Sequence, residues 1–386
     1  MTGLVAQSLD TRTRAVADQT PALGHAIGLA HDYLLVLRGA ERTFAAMSDI
    51  WPDAPVHTLL YDEEGTRGRF AGRDIRPSIL QRFHIGQAEF RKLMPVYPSV
   101  VRGLDVSEHD VLVSSSSAFA HGIRPRPGAV HVCYCHSPFR YAWHERERGL
   151  SEMPRFLRPA FGAAAMRHRR FDRQASRTVS ILVANSEITR ERIQRFWGRD
   201  STVIYPPVEV DRFRVREPED YLLFVGELVR HKRADIALEA AARARRPIRV
   251  VGAGPQFDEL RERYGRSAEF LGRVDDATLA ELYSRAAALI VPNVEEFGIA
   301  SVEAQAAGRP VLGANAGGMR ETVVHGRTGW LSAPGDVDAL ARILRRDFLQ
   351  GLDAPEDIRR HAQQFSKTIF QERFGDVVRE ATAALP

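Results

Sequence analysis

Short apolar runs of strand length, each leading through a polar cluster into a longer amphipathic stretch, recur along this chain in two successive series. Regular alternation of the two periods builds parallel strands joined by crossover helices. The first series comprises residues 26–30, 111–113, 130–134 and 181–184, the last read as the final strand of its unit. Asn185-Ser186 then caps a helix that runs to Gly198. A second series begins afresh at residues 221–225, 248–251, 268–271, 288–291 and 310–312. Between the two stands Pro206-Pro207, which removes two backbone donors and fixes two φ angles, as a hinge requires. At 386 residues two domains are the expectation. Residues 1–23 read as a flexible tail, 24–206 and 207–360 as two Rossmann-like doubly wound α/β domains facing each other across a cleft. Residues 361–386 read as a helical tail placed to pack back on the first domain.

A hydrophobic content of 44% is ordinary for a globular chain, and no run approaches the roughly 20 apolar residues of a membrane span. Residues 1–19 are polar and of mixed charge, without a signal-peptide apolar core, so the expected location is the cytoplasm. Cys133 and Cys135 lie two apart on one strand, pointing the same way without facing each other. They read as buried apolar side chains, because no second ligand pair accompanies them. The formal net charge of +5 is unevenly spread, with 20 Arg or Lys against 9 Asp or Glu between Gly65 and Arg177. That excess suits an anionic lipid surface or simply a solubilising one. Zinc-finger, RNA-binding and basic-arm signatures are missing, which sets nucleic acid aside.

Several polar clusters fall just past strand ends, where open α/β sheets bind ligands. Gly226-Glu227-Leu228-Val229-Arg230-His231-Lys232-Arg233 combines a glycine turn with cations able to neutralise a diphosphate. Gly252-Ala253-Gly254 lacks the third glycine and the acid of a dinucleotide site and reads as a turn for close packing. Gly272-Arg273-Val274 is placed to bracket a nucleobase through its backbone, with Arg273 stacking on the base or lying on the surface. Gly39-Ala40-Glu41 opens a helix with free N–H groups. His136 either hydrogen-bonds a sugar hydroxyl or caps the turn before Pro138. Glu295 and Glu303 flank Phe297-Gly298-Ile299, a glycine turn into a helix whose first N–H groups attract a diphosphate. Glu295 lies before the helix, near a sugar; Glu303 lies inside it, where it can accept ribose hydroxyls. Asp-x-Asp stands at no strand end, and H-E-x-x-H, the P-loop and G-x-S-x-G are absent, so hydrolase and kinase readings lose their key residues.

The spacing from Glu295 to Glu303 resembles the E-x7-E signature of family 4 glycosyltransferases. The likeness extends to His31-Asp32-Tyr33, Gly39-Ala40-Glu41, Ser114-Ser115-Ser116, residues 133–143, Ala184-Asn185-Ser186, residues 204–208 and residues 229–233. Within the family the chain resembles the bacterial GDP-mannose-dependent mannosyltransferases of O-antigen and exopolysaccharide assembly. The resemblance implies the GT-B fold, no cofactor and no metal. It implies that Lys232, with Arg230 or Arg233, holds the phosphates, and that Glu303 binds the ribose. Phe297, Gly298 and Ile299 offer N–H groups, Glu295 and His136 meet the sugar, and Gly39 closes on the phosphates. Two positions depart from the pattern: Glu227 stands where relatives often carry Arg, and Arg38-Gly39 replaces Gly-Gly.

The expected activity is therefore retaining transfer of mannose from GDP-mannose to a lipid-linked glycan at the inner face of the cell membrane. A UDP-hexose donor is the nearest alternative. A non-catalytic subunit that binds a nucleotide sugar is another, which Glu227 favours. A sugar-nucleotide epimerase would require acid and histidine residues for proton removal at C2 and a different C-terminal motif.

Overall fold

The computed structural model describes residues 24–87, 89–383 and 385, so the tail expected over 1–23 lies outside the described residues. The first sheet contains β1 (Ile27–His31), β2 (Val56–Thr58), β3 (Ile75–Pro77), β4 (Val111–Ser116), β5 (Val130–Cys135), β6 (Ile181–Ala184) and β7 (Thr202–Val203). Its order is β3-β2-β1-β4-β5-β6-β7, with every pairing parallel. The second contains β8 (Leu222–Val225), β9 (Ile248–Val251), β10 (Ala268–Gly272), β11 (Ala288–Val291), β12 (Val311–Ala314) and β13 (Gly329–Ser332). Its order is β10-β9-β8-β11-β12-β13, again wholly parallel. Each sheet winds outward over three strands and then reverses, leaving a switch point beside its first strand. These points fall between β1 and β4 and between β8 and β11.

The strands of the second sheet are apolar on both faces because each face is covered. Leu222, Phe224, Val250, Ile290 and Leu312 pack on one side, with the helices Ala234–Ala244 and Val337–Arg345. Leu223, Val251, Leu289, Val291 and Val311 pack on the other, with Phe297, Val302 and Phe365. Four strands lie outside the sequence expectation. β2, β3 and β7 have three, three and two residues, too short for a periodic signal, and β3 carries Arg76 and Pro77. β13 opens on Gly329, which passes so close to Val311 that a Cβ would collide with its backbone. Residues 181–184 are therefore not the last strand of the first sheet, since Thr202–Val203 pairs beside them at the edge.

β4 runs through Ser114, Ser115 and Ser116, which sequence reasoning had assigned to the loop beyond residue 113. Three consecutive serines can lie in a buried strand because imidazoles satisfy them. Ser114 Oγ is 2.7 Å from His131 Nε2, and Ser116 Oγ is 3.0 Å from His121 Nδ1. Ser115 Oγ lies 3.0 Å from His31 Nδ1 and 2.8 Å from His136 Nε2. Cys133 and Cys135 are buried free thiols on β5, and burial pushes Cys133 up to about 12, far from a reactive thiolate.

The chain divides into two compact units, one holding residues up to Ile204 with Gln371–Pro386, the other Tyr205–Phe370. The C-terminal segment joins the first unit through its helix, Lys367–Thr382. Phe374 is fully buried, 6.3 Å from the Trp51 ring and 5.9 Å from the Tyr134 ring, and Gln371 Nε2 donates to Ala46 O at 2.8 Å. Deleting that aromatic leaves a void in the first unit, at a cost of about 3–5 kcal/mol. Phe374→Ala should lower the first unit's melting transition, followed by urea unfolding with hydrogen exchange, and leave amide protection in β8–β12 unchanged.

Candidate active site

The loop after β8 owes its shape to the loop after β9. Leu228 N donates to Ala253 O at 3.0 Å, and Gly252, at φ +143°, leaves no room for a Cβ against Gly226 O. Gly252-Ala253-Gly254 is thus a close-packing turn, and it holds the neighbouring glycine loop at the sheet's edge. That loop ends in the single turn Arg230–Lys232 and delivers Lys232 to the switch point. From the other side β11 leads into Asn293 and Glu295. Lys232 Nζ donates to Glu295 Oε1 at 2.5 Å, and Asn293 Nδ2 donates to the same oxygen at 2.9 Å. A lysine and a glutamate 63 positions apart are brought together here.

The segment carrying Glu295 is clamped from behind by Gly317-Gly318. Gly318 N donates to Glu295 O at 2.9 Å, and a Cβ at either glycine would strike the backbone of residues 295–297. Gly298 then takes a left-handed conformation, φ +94°, which glycine adopts without strain, and starts the helix Ile299–Ala306. The Phe297 side chain turns inward, stacked 5.5 Å from Tyr205, so only its backbone is available to a ligand. In the next turn Glu303 Oε2 accepts from the buried Tyr283 hydroxyl at 3.0 Å, which fixes the carboxylate's direction. Ser301 Oγ donates to Thr322 Oγ1 at 2.9 Å and anchors the helix start.

The structure does not draw every expected residue into this cluster. Arg230 and Arg273 are solvent-exposed, and Val274 packs at the edge of the apolar core. Arg233 is exposed and forms an ion pair with Asp235 at 3.1 Å. Glu227 is likewise exposed. Asn293 and Tyr283 were not anticipated, and nothing in their local sequence marks them, since each acts on a partner from another element.

In the first unit the corresponding switch point holds His31 at the end of β1, Ser115 on β4 and the half-buried His136 just past β5. His31 is stacked on Phe44 at 4.9 Å, and burial holds it down to about 3, so it is neutral. Asp32 accepts four backbone N–H groups, from Ser117, Ala118, Phe119 and Ala120, at 2.6–2.9 Å, and this ties the β4 loop to β1. Gly39 opens the helix Gly39–Ser48, whose third residue Glu41 accepts from Arg38 N at 2.9 Å.

Residues 208–365 match the family model described as glycosyl transferases group 1, and residues 37–212 match glycosyltransferase family 4. Among curated proteins the chain is 32% identical over 221 residues to glycogen synthase of Mycobacterium tuberculosis, covering 52% of each chain. It is 37% identical over 194 residues to D-inositol 3-phosphate glycosyltransferase 2 of Catenulispora acidiphila, covering 40% of this chain and 45% of that one. A third relative is alpha-1,3/1,6-mannosyltransferase alg-2 of Neurospora crassa, 39% identical over 110 residues, 26% of this chain and 23% of that one. The chain spans about half the length of the first two and less of the third. Anabaena HepE, solved with UDP and glucose, superposes with a TM-score of 0.71 at 19% identity over 92% of this chain and all of that one. WaaG, a glycosyltransferase involved in lipopolysaccharide biosynthesis, gives 0.62 at 17% identity over 91% and 99%. The fold is thus that of the GT-B glycosyltransferases, two parallel-sheet α/β domains. By sequence the chain is similar to glycosyltransferases over residues 37–212 and 208–365.

Burial raises the Glu41 carboxyl from an ordinary 4.5 to about 7, against the opposing hydrogen bond from Arg38 N and the nearby Arg38 charge. A raised carboxylate contributes stability that is present below pH 4.5 and lost as pH rises through 7, a penalty of about 3 kcal/mol. Glu41→Gln keeps the acceptor and removes the titration. The variant should match the wild-type melting temperature near pH 4 and exceed it at pH 8; a difference constant across that range would refute the assignment.

Proposed function

We propose that the protein is a retaining glycosyltransferase that moves a hexose, mannose from GDP-mannose in our reading, onto a lipid-linked glycan. The observation that carries this is the Lys232–Glu295–Asn293 cluster at the start of a glycine-initiated helix, with Glu303 held by Tyr283 one turn on. A diphosphate at that helix start meets N–H dipoles and the Lys232 ammonium together. In this reading Lys232 leaves Glu295 for the phosphates and stabilises the charge that builds as they depart. Glu295, relieved of its cation, accepts from the donor's sugar hydroxyls, and Glu303 accepts from the ribose. By the family resemblance Gly39 and His136 belong to the same proposal, as groups for the phosphates and the sugar respectively. No side-chain nucleophile is required: the departing phosphate oxygen takes the acceptor's proton.

The partial match to a fungal mannosyltransferase supports mannose, while HepE, solved with UDP and glucose, favours the alternative of a UDP-hexose donor. Nucleoside diphosphate release from GDP-mannose and from UDP-glucose, measured with a lipid extract as acceptor, separates the two. Donor binding without turnover would support the non-catalytic reading. Lys232→Ala should lower kcat by about 10²–10³-fold, and Glu303→Ala should act mainly on the donor KM. Lys232→Ala should melt close to wild type, because its ion pair is partly accessible, whereas Glu303→Ala, which takes the acceptor from the buried Tyr283 hydroxyl, should cost about 1–3 kcal/mol. Wild-type kinetics in both variants would overturn the site.

A peripheral membrane location belongs to the same proposal. Among the described residues no helix is long and apolar enough to cross a membrane. The first unit nevertheless exposes Met153, Phe156, Leu157 and Met166, with Phe156 80% accessible. Residues 153–171 include five arginines and no acid, and Arg155, Arg158, Arg167 and Arg170 are exposed beside those apolar groups. Exposed apolar side chains interspersed along the chain with arginines suit the interface of an anionic bilayer. The protein should pellet with phosphatidylglycerol vesicles and less with phosphatidylcholine, and Phe156→Asp should weaken it. Equal pelleting with both lipids would remove the electrostatic argument.

A further inference from the structure

His136 Nε2 lies 2.8 Å from the Ser115 hydroxyl, which also contacts a second imidazole. His31 Nδ1 lies 3.1 Å from the Ser115 carbonyl oxygen and 3.0 Å from Ser115 Oγ. A carbonyl oxygen only accepts, so Nδ1 carries the proton and donates to both oxygens. Were Nδ1 bare, two lone pairs would face each other at 3.1 Å inside a buried strand. Ser115 Oγ accepts from His31, and its single proton, buried with it, finds its acceptor in His136 Nε2 at 2.8 Å. We infer that His31 and Ser115 are positioning residues which hold His136 as the neutral Nδ1–H tautomer, with Nε2 committed as an acceptor and withdrawn from general-base work.

Three features make the relay rigid. His31 is 2% accessible and Ser115 fully buried, and the Phe44 ring covers the His31 face at 4.9 Å. β1 and β4 are in register at this level, His31 opposite Ser115, so the two side chains cannot slip past one another. The neutral form of His31 follows from burial. A protonated His136 would place two N–H donors against one hydroxyl, whose own proton would have to find another acceptor. The ring of Tyr134, 5.2 Å from His136, and that of His31, 6.4 Å away, stand edge-on to it and limit reorientation.

The inference deepens the proposed role of His136, since an imidazole so held keeps its proton on Nδ1 and has its basic nitrogen, Nε2, already occupied by Ser115. It is tested without substrate, so its failure is separable from failure of the proposed activity. Full-length protein labelled with nitrogen-15 histidine is examined by long-range proton–nitrogen correlation at pH 7.5, with the His136 signals identified by their loss in His136→Gln. The expected pattern is an imine-type Nε2 and a pyrrole-type Nδ1. Ser115→Ala should replace it by averaged shifts of both tautomers, as should His31→Leu. His31→Asn, whose amide nitrogen stands where Nδ1 stood, should restore the wild-type pattern. Unchanged signals from His57, His109 and His131 report that each variant is folded. A pyrrole-type Nε2 in the wild type, or a pattern unmoved by both Ser115→Ala and His31→Leu, would overturn the inference.

Discussion

Both sheets reverse their winding after three strands, and everything at the candidate site follows from that. Where β1 parts from β4, and β8 from β11, the crossover helices leave in opposite directions and the loops at the strand ends are splayed. A splayed pair of loops cannot satisfy its polar groups by sheet pairing. In the second unit Lys232, Asn293 and Glu295 do so with side chains. In the first unit His31, Asp32, Ser115 and His136 do the same. The same topological event therefore creates, twice in one chain, an opening lined by committed polar atoms.

Commitment differs between the two openings. The Lys232–Glu295 pair is partly accessible, so an anionic ligand can compete for the lysine at modest cost. The His31–Ser115 contact is buried, and Asp32 has every strong acceptor direction filled by backbone N–H groups. Exchange of partners is accordingly a property of the second unit, and fixed direction a property of the first. Glu41 stands between these extremes: it is buried at a helix start, where burial raises it to about 7.

Much of this was legible in the sequence where the signal is local. Residues 181–184, 248–251 and 288–291 read as strands and are strands with those bounds, because a buried parallel strand is a short continuous apolar run. Ser186 and Gly198 marked both ends of one helix through cap chemistry. β2, β3 and β7 escaped because two or three residues have no period, and their pairing is decided by neighbours far along the chain. The serines of β4 escaped because their polarity contradicts burial until His31, His121, His131 and His136 are brought alongside. The cation-rich loop looked like three phosphate ligands; the fold directs Lys232 to Glu295 and sends Arg233 to Asp235.

Sequence alone determined the fold class, the doubled strand–helix series and the helix start at Gly298 flanked by Glu295 and Glu303, since each rests on spacing within a few residues. Only the tertiary structure decided that Lys232 meets Glu295, that Tyr283 aims Glu303, and that Gly317 and Gly318 brace the segment from behind. These depend on which loops the sheet order sets side by side. The direction of a side-chain hydrogen bond is set by the partner that the fold delivers, not by the residues beside it in the chain.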